Sequence, residues 1–199
     1  MDANDVEILE RETAYRGYVT VERWQLRHKK FAGGWSGAIR REVIDRGHAA
    51  AVLPYDPIRD EVVLIEQFRA GALGAGMSPW IVEIVAGVIE PGEPPEALAA
   101  REAIEEAGCR VSDLLPVCKC LVSPGILTET IAIFCGRTDA RGLGGTHGLA
   151  HEGEDIRAFV LGFDAAMTML AKGEIANAVA IVALQWLALN RERIRAIWK

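Results

Sequence analysis

Positive charge is in short supply. Against 28 Asp and Glu stand 22 Lys and Arg, and the formal net charge of −6 removes the electrostatic footprint of a nucleic-acid binder. An anionic substrate must then be held by local arginines or by a metal. Cysteine is scarce as well: four residues, with no C-x-x-C or Cys/His pairing, exclude a zinc set and leave buried thiols as the expectation. Long apolar runs are missing too. The longest, 175–189, is broken by Asn177 and Gln185 and is short for a bilayer span, and residues 1–20 contain no signal-peptide h-region. These absences point to a cytoplasmic protein with neither membrane nor nucleic acid as partner. No repeat, low-complexity tract or flexible linker interrupts the chain. Its 199 residues can bury one sizeable core with an appended segment.

The residues between 17 and 45 read as a long antiparallel hairpin, YVTVERWQLRHKKF and AIRREVID around the turn-rich AGGWSG. A two-stranded ribbon cannot bury its own faces, so this one must lie on something. A second hairpin is expected at 48–55 and 61–69, joined by DPIRD, and another strand at 80–85. Apolar segments at 115–122, 130–137 and 156–161 follow, and 163–172 and 175–198 read as closing helices. Strands and helices interleave without repeating βαβ units, which defines a mixed α/β or α+β core.

Chemistry concentrates between Gly87 and Cys109, in GVIEPGEPPEALAAREAIEEAGC. Pro-Pro suits the first turn of a helix over 94–107, Ala, Leu and Glu fill its interior, and Gly108 stands where a terminating glycine belongs. At about 100° per residue, Glu102, Glu105 and Glu106 fall on one side and Ala97, Ala100, Ala103, Ile104 and Ala107 on the other. Like charges at this spacing destabilise a helix, and Arg101, four residues before Glu105, offsets only part of that repulsion. Alone, E-x-x-E-E reads as a solvated acidic face. The whole spacing changes the reading: Gly87, five residues, Glu93, seven residues, then Arg101-Glu102-Ala103-Ile104-Glu105-Glu106-Ala107-Gly108 resembles the Nudix box, G-x5-E-x7-R-E-U-x-E-E-x-G-U. Every fixed position is filled, and only Ala103 and Cys109 stand where bulkier aliphatic residues are usual.

An all-carboxylate cluster favours Mg²⁺, with Mn²⁺ as substitute, over zinc. Magnesium commonly binds a few carboxylates together with substrate phosphates, which points to phosphoryl chemistry. Arg101 either orients the glutamates or touches substrate. The acidic loop Glu152-Gly153-Glu154-Asp155 is either an ordinary solvated loop or a mobile lid delivering a carboxylate. Arg41, Arg46 and Arg69 are either surface arginines or the planar forks that a diphosphate needs. Ser123-Pro124-Gly125 reads as a strand-ending turn, with Glu129 placed to accept hydrogen bonds from sugar hydroxyls. The glycines at 142, 144 and 145 lack the strand-to-helix context of a phosphate loop.

Beyond the box, nearly the whole chain resembles the bacterial ADP-ribose pyrophosphatases of the Nudix superfamily. The likeness runs through NDVEIL, TAYRGY, RREVIDRGHAA, DPIRDEVVLIEQFR, PWIVEIVAG, REAIEEAG, THGLAHEGEDIR and KGEIANAVAIVALQWL. It implies a Nudix α/β/α sandwich over 46–199 and an N-terminal antiparallel β extension over 1–45, the latter exchanged in a homodimer. The implied reaction is Mg²⁺-dependent hydrolysis of ADP-ribose to AMP and ribose 5-phosphate. By matched position, the metal ligands would be the Ala86 carbonyl, Glu102, Glu106 and Glu154, with Glu152 the general base and Glu105 beside the metals. Substrate contacts would fall to Arg41, Glu42, Arg46, Arg69, Val88, Ser123, Pro124, Gly125 and Glu129, with Tyr18 and Val19 near the base. After Gly125 the resembling enzymes usually carry a second glycine; here Ile126 stands in its place. Two other readings compete: hydrolysis of GDP-mannose or another nucleotide sugar, and a non-catalytic Nudix-like sensor. The intact box speaks against the second.

Overall fold

The computed structural model describes residues 1–198, Glu152 by its backbone alone. The chain forms two compact units, Met1–His48 with Cys120–Thr130, and Ala49–Lys119 with Ile131–Lys199.

In the first unit, β1 (Val6–Arg16), β2 (Thr20–His28) and β3 (Ile39–Asp45) form an antiparallel sheet in that order. The expected hairpin is β2 and β3, registered from Thr20 opposite Asp45 to Leu26 opposite Ile39. β1 is an addition to it. All 11 of its residues are exposed, so the strand has no buried face. Side chains help to fix it: Glu7 accepts from Arg27 Nε at 2.6 Å, and the Arg11 guanidinium lies 3.8 Å from the Trp24 ring centroid. The segment after Leu121 closes against β3, where Ile44 N–H donates to the Ile126 carbonyl at 2.8 Å and Thr128 N–H to the Ile44 carbonyl at 3.0 Å.

The second unit is built on an eight-stranded mixed sheet of β4 (Ala49–Asp56), β5 (Glu61–Phe68), β6 (Trp80–Glu83), β7 (Val85–Val88), β8 (Ser112–Leu121), β9 (Thr130–Arg137), β10 (Gly145–His147) and β11 (Ile156–Gly162). Its order is β10-β11-β5-β4-β9-β8, with β6 on β5 and β7 on β4; β4 and β9 run parallel. β4 is buried along its whole length, because both faces of the sheet are covered. Ala50 and Val52 pack in one core with Leu98, Ala99, Ala103 and Ala107 of the helix that carries the box. Strand side chains alternate, so Ala51, Leu53 and Tyr55 face the other layer. The helices are α1 (Ala70–Gly74), α2 (Pro95–Ala107), α3 (Phe163–Ala171) and α4 (Ala178–Ile197). α4 starts at Ala178 rather than at the expected 175, since Asn177 Oδ1 caps it by accepting from Ala180 N–H at 3.0 Å.

A polar knot joins α4 to the β4–β5 turn. Tyr55 Oη donates to Asp60 at 2.6 Å, Arg191 Nε donates to the same carboxylate at 2.8 Å, and Arg191 also pairs with Asp164 at 2.9 Å. Burial works to raise the Asp60 pKa, but the bonds from Arg191 and Tyr55 outweigh it and hold the carboxyl below its ordinary value. A depressed carboxylate stabilises the fold above its unfolded pKa and loses that contribution as pH falls through the folded one. Arg191→Met should therefore cost about 2 kcal/mol at pH 7 in urea unfolding. The gap from wild type should narrow as the medium is acidified below pH ~4.

Candidate active site

α2 is entered through Pro94 and Pro95 and ends at Gly108, whose φ of 59° is the left-handed conformation that releases the chain. Its packing stripe differs from the sequence expectation. Leu98, Ala99, Ala103, Ala107 and also Glu106 are buried, whereas Ile104 is 48% exposed and points outwards. The helix leans on β4, β7, β10 and β11, which rotates the covered face towards Leu98 and carries Glu106 to its edge.

That edge is where two of the box acids meet β7. Glu106 is 3% exposed and accepts the Ala86 N–H at 3.0 Å. Gly87, paired with Ala50 of β4, lies under the Glu102 carboxylate, and a β-carbon there would collide with it. A side chain at this position of the box would force the Glu102 carboxylate to move, so the glycine leaves that acid its place over β7. Burial pushes Glu106 up to about 8, against the lowering bond from Ala86, and the neighbouring charges of Glu102 and Glu154 add to the rise. Glu102 is raised by burial as well, and Glu105 and Glu154 contribute repulsion. Three carboxylates thus share one electrostatic neighbourhood. Their oxygens are hard donors that suit Mg²⁺ or Mn²⁺ in type, and a cation would relieve their repulsion. Among the described residues no three His, Cys, Asp or Glu side chains already converge on an ion position.

Arg101 neutralises the outer side of the cluster. It reaches Glu93 at 3.1 Å, Glu102 at 3.0 Å and Glu105 at 2.8 Å, joining three acids that the box spaces along the chain. Hydrogen bonding to Glu93 is the largest cause holding its guanidinium above the ordinary range.

A second network was not legible in the sequence. Glu83, 6% exposed at the end of β6, accepts from Arg69 Nε at 3.0 Å and Nη2 at 2.8 Å, from Gln67 Nε2 at 3.3 Å and from Asn177 Nδ2 at 2.8 Å. Asn177 is also the cap of α4. Burial acts to lower the Arg69 pKa, but the Glu83 bond and the charges of Glu83, Glu106 and Glu154 raise it overall, which places this arginine in the field of the acidic cluster. The sequence signal that could have found Glu83 is an acidic residue in the otherwise apolar strand WIVEIV.

The segment after β10 returns to α2. Gly148 N–H donates to the Glu105 carbonyl at 3.2 Å, and Glu154 accepts the Leu149 N–H at 3.0 Å. Gly148 has a φ of 105°, and a β-carbon there would strike Glu154. Glu152 lies on a short 3₁₀ turn, Ala150–Glu152; its side chain lies outside what the structure describes. Val88, 39% exposed, ends β7 beside Gly87.

The remaining sequence candidates belong to the first unit. Arg46 and Glu129 are brought together as an ion pair at 3.5 Å, with Glu129 only 6% exposed. Ser123, Pro124 and Gly125 form the expected turn, Leu127 N–H donating to the Ser123 carbonyl at 2.8 Å, and Ile126 is 42% exposed beside it. Arg41 and Glu42 line a cavity of about 470 Å³ on the three-stranded sheet with Trp24 and Arg23. Tyr18, 88% exposed, and Val19 sit in the β1–β2 turn. Cys109 and Cys135 are buried, whereas Cys118 and Cys120 are half-buried on β8. Among the described residues no helix is long and apolar enough to cross a membrane.

A mixed sheet between helices, with a complete G-x5-E-x7-R-E-U-x-E-E-x-G-U segment folded as strand, loop and helix, places the chain in a defined class. It matches the NUDIX domain family over residues 45–190. The chain belongs to the Nudix family. It is 48% identical to the ADP-ribose pyrophosphatase of Escherichia coli K12 over 195 residues, covering 98% of this chain and 93% of that protein. Identity to the ADP-ribose pyrophosphatase of Haemophilus influenzae is 43%, covering 98% and 91%. The GDP-mannose pyrophosphatase of Klebsiella pneumoniae is more distant, at 35% over 74% of each chain. A crystal structure described as an ADP compounds hydrolase shares the fold with a TM-score of 0.72 at 22% identity, covering 96% of this chain and 97% of that one.

Proposed function

We propose that this protein hydrolyses the diphosphate of ADP-ribose, giving AMP and ribose 5-phosphate, as a cytoplasmic homodimer. The observation that carries the reading is the pairing of an intact box with 48% identity to an ADP-ribose pyrophosphatase along 98% of the chain. GDP-mannose pyrophosphatases align at 35% or less over about three quarters of it, so ADP-ribose is the favoured substrate. A phosphatase-coupled assay over ADP-ribose, GDP-mannose, UDP-glucose, dinucleotides and dNTPs tests this. The highest kcat/KM should belong to ADP-ribose; preference for GDP-mannose would select the rival substrate, and Ile126→Gly would then probe the cause.

Glu102, Glu106, Glu154 and the Ala86 carbonyl would hold Mg²⁺. When bound, the cation supplies charge neutralisation to the diphosphate and acidifies water. The attacking water forms a bond to the adenosyl phosphorus and gives a proton to Glu152; the bridging oxygen leaves with ribose 5-phosphate. Arg101 holds Glu93, Glu102 and Glu105 in place rather than touching substrate, since its donors are already directed at those three acids. Arg69 binds a substrate phosphate, and Val88 lines the same site.

Glu83 then acts as a positioning residue for Arg69. Glu83→Gln should raise KM for ADP-ribose by roughly tenfold and change kcat little, because the arginine fork loses its charged anchor. Asn177→Ala serves as the control: it removes the α4 cap and one bond to Glu83 but leaves both Arg69 bonds. It should lower thermal stability without the KM change, and an equal KM effect in both variants would refute the positioning role.

The first unit supports the dimer reading through exposed apolar surface: Phe31 is 97%, Tyr15 58% and Ile8 45% exposed in the isolated chain. Arg41, Glu42 and Arg46, with Tyr18 and Val19, serve the partner subunit's site, and Ser123 to Gly125 and Glu129 contact the sugar. Mixing Arg41→Ala with Glu106→Gln after partial unfolding and refolding should restore activity, because half-intact heterodimers regain one complete site. No recovery would confine each site to one chain.

A further inference from the structure

A cavity of the second unit with four arginines in its wall lies away from the box. The cavity, of about 860 Å³, is lined by Arg59, Arg110, Arg137 and Arg141 against Asp56, Glu61 and Asp139, an excess of arginine in a chain whose net charge is −6. On β4, Tyr55 pairs with Arg137 and Ala50 with Gly87. Five steps along the strand separate these positions, roughly 17 Å. The arginines come from the β4–β5 turn, the residues after α2, the end of β9 and the loop that follows it.

Their carboxylate neighbours leave donors available. Asp56 is 3% exposed, and its oxygens already accept the backbone N–H groups of Ile58 at 2.9 Å, Arg59 at 3.0 Å and Ala140 at 3.0 Å. The Arg59 guanidinium stays 3.9 Å from it. Arg137 and Asp113 approach only to 3.6 Å, and both are open to solvent. Arg110 is exposed, while Arg141 is gripped by Asp139. A guanidinium presents five N–H donors in a planar fork, so one carboxylate oxygen does not saturate it. Ile58, 68% exposed, and Val111 give the same cavity an apolar wall.

The walls are continuous with the acid-bearing helix. Thr138 Oγ1 donates to the Arg110 carbonyl at 2.8 Å and lies 3.1 Å from Cys109 Sγ, just beyond the end of α2. From Arg141 the chain runs through Leu143, which packs on the α2 core, into β10 and then Gly148, bonded to the Glu105 carbonyl.

We propose that this cavity is a second anion site, taking a phosphate-bearing small molecule through its arginine forks and acting as an effector site on the 139–148 segment. Bidentate guanidinium contacts suit phosphate oxygens, and the apolar wall suits the rest of a nucleotide or sugar phosphate. Inorganic pyrophosphate is the probe, titrated calorimetrically into the intact protein in EDTA. We expect one saturable site with Kd below about 1 mM. Arg110→Ala with Arg137→Ala should weaken it at least about tenfold, and Arg69→Ala should leave it within about twofold. Should the double variant fail to fold, Arg110→Glu replaces one exposed side chain and must show the same loss. Binding insensitive to these changes, or lost in Arg69→Ala, would overturn the site. Hydrogen exchange should slow over 139–148 when pyrophosphate binds the wild type; exchange unchanged beyond Arg141 would overturn the effector role.

Discussion

Glu106→Gln should lower turnover of ADP-ribose by about 10³-fold or more, near 4 kcal/mol of barrier, while the protein stays folded. The glutamine keeps an oxygen to accept the Ala86 N–H, so the local backbone bond survives, and the substitution removes a charge that burial already disfavours. Glu102→Gln should behave alike, since Glu102 occupies the space above Gly87. A second readout separates ligation from chemistry. Mg²⁺ should raise the thermal midpoint of the wild type, by the equivalent of about 2.7 kcal/mol at a hundred times its Kd. That increase should be largely lost in both variants. Half-normal activity at saturating Mg²⁺ would sink the ligand assignment.

Glu152→Gln should reduce kcat by about 10²–10⁴-fold with a much smaller change in KM, because a general base acts as charge develops in the transition state. Glu154→Gln should instead weaken the Mg²⁺-dependent rise in thermal midpoint. A larger kcat loss in Glu154→Gln, with a mild effect in Glu152→Gln, would exchange the two roles.

The box was legible because its information is local. Helical spacing alone puts Glu102, Glu105 and Glu106 near one another, and Pro95 and Gly108 mark the ends of α2. What spacing could not give is which edge the sheet covers. Glu106 is buried and Ile104 exposed because α2 meets β4 and β7 along the Leu98–Ala99–Ala103 stripe, a tertiary choice that hydrophobicity did not announce. Glu83 stayed hidden for a related reason. Its bonds to Arg69 and Asn177 cross 14 and 94 residues of sequence and depend on β5–β6 pairing. β1 escaped notice because its large apolar residues, Val6, Ile8, Leu9 and Tyr15, are scattered among charges and none of its 11 residues is buried, so no covered face singles it out as a strand. By contrast, β9 falls on the expected 130–137, where an apolar strand is bounded by turn-forming residues.

The central claim is that water opens the diphosphate of ADP-ribose. Its most direct test is turnover of ADP-ribose with Mg²⁺ in ¹⁸O-water, with products resolved by mass spectrometry. The account predicts AMP and ribose 5-phosphate, with one solvent oxygen in the AMP phosphate and none in ribose 5-phosphate. Formation of ADP and ribose, or no turnover beside rapid hydrolysis of GDP-mannose, would contradict it.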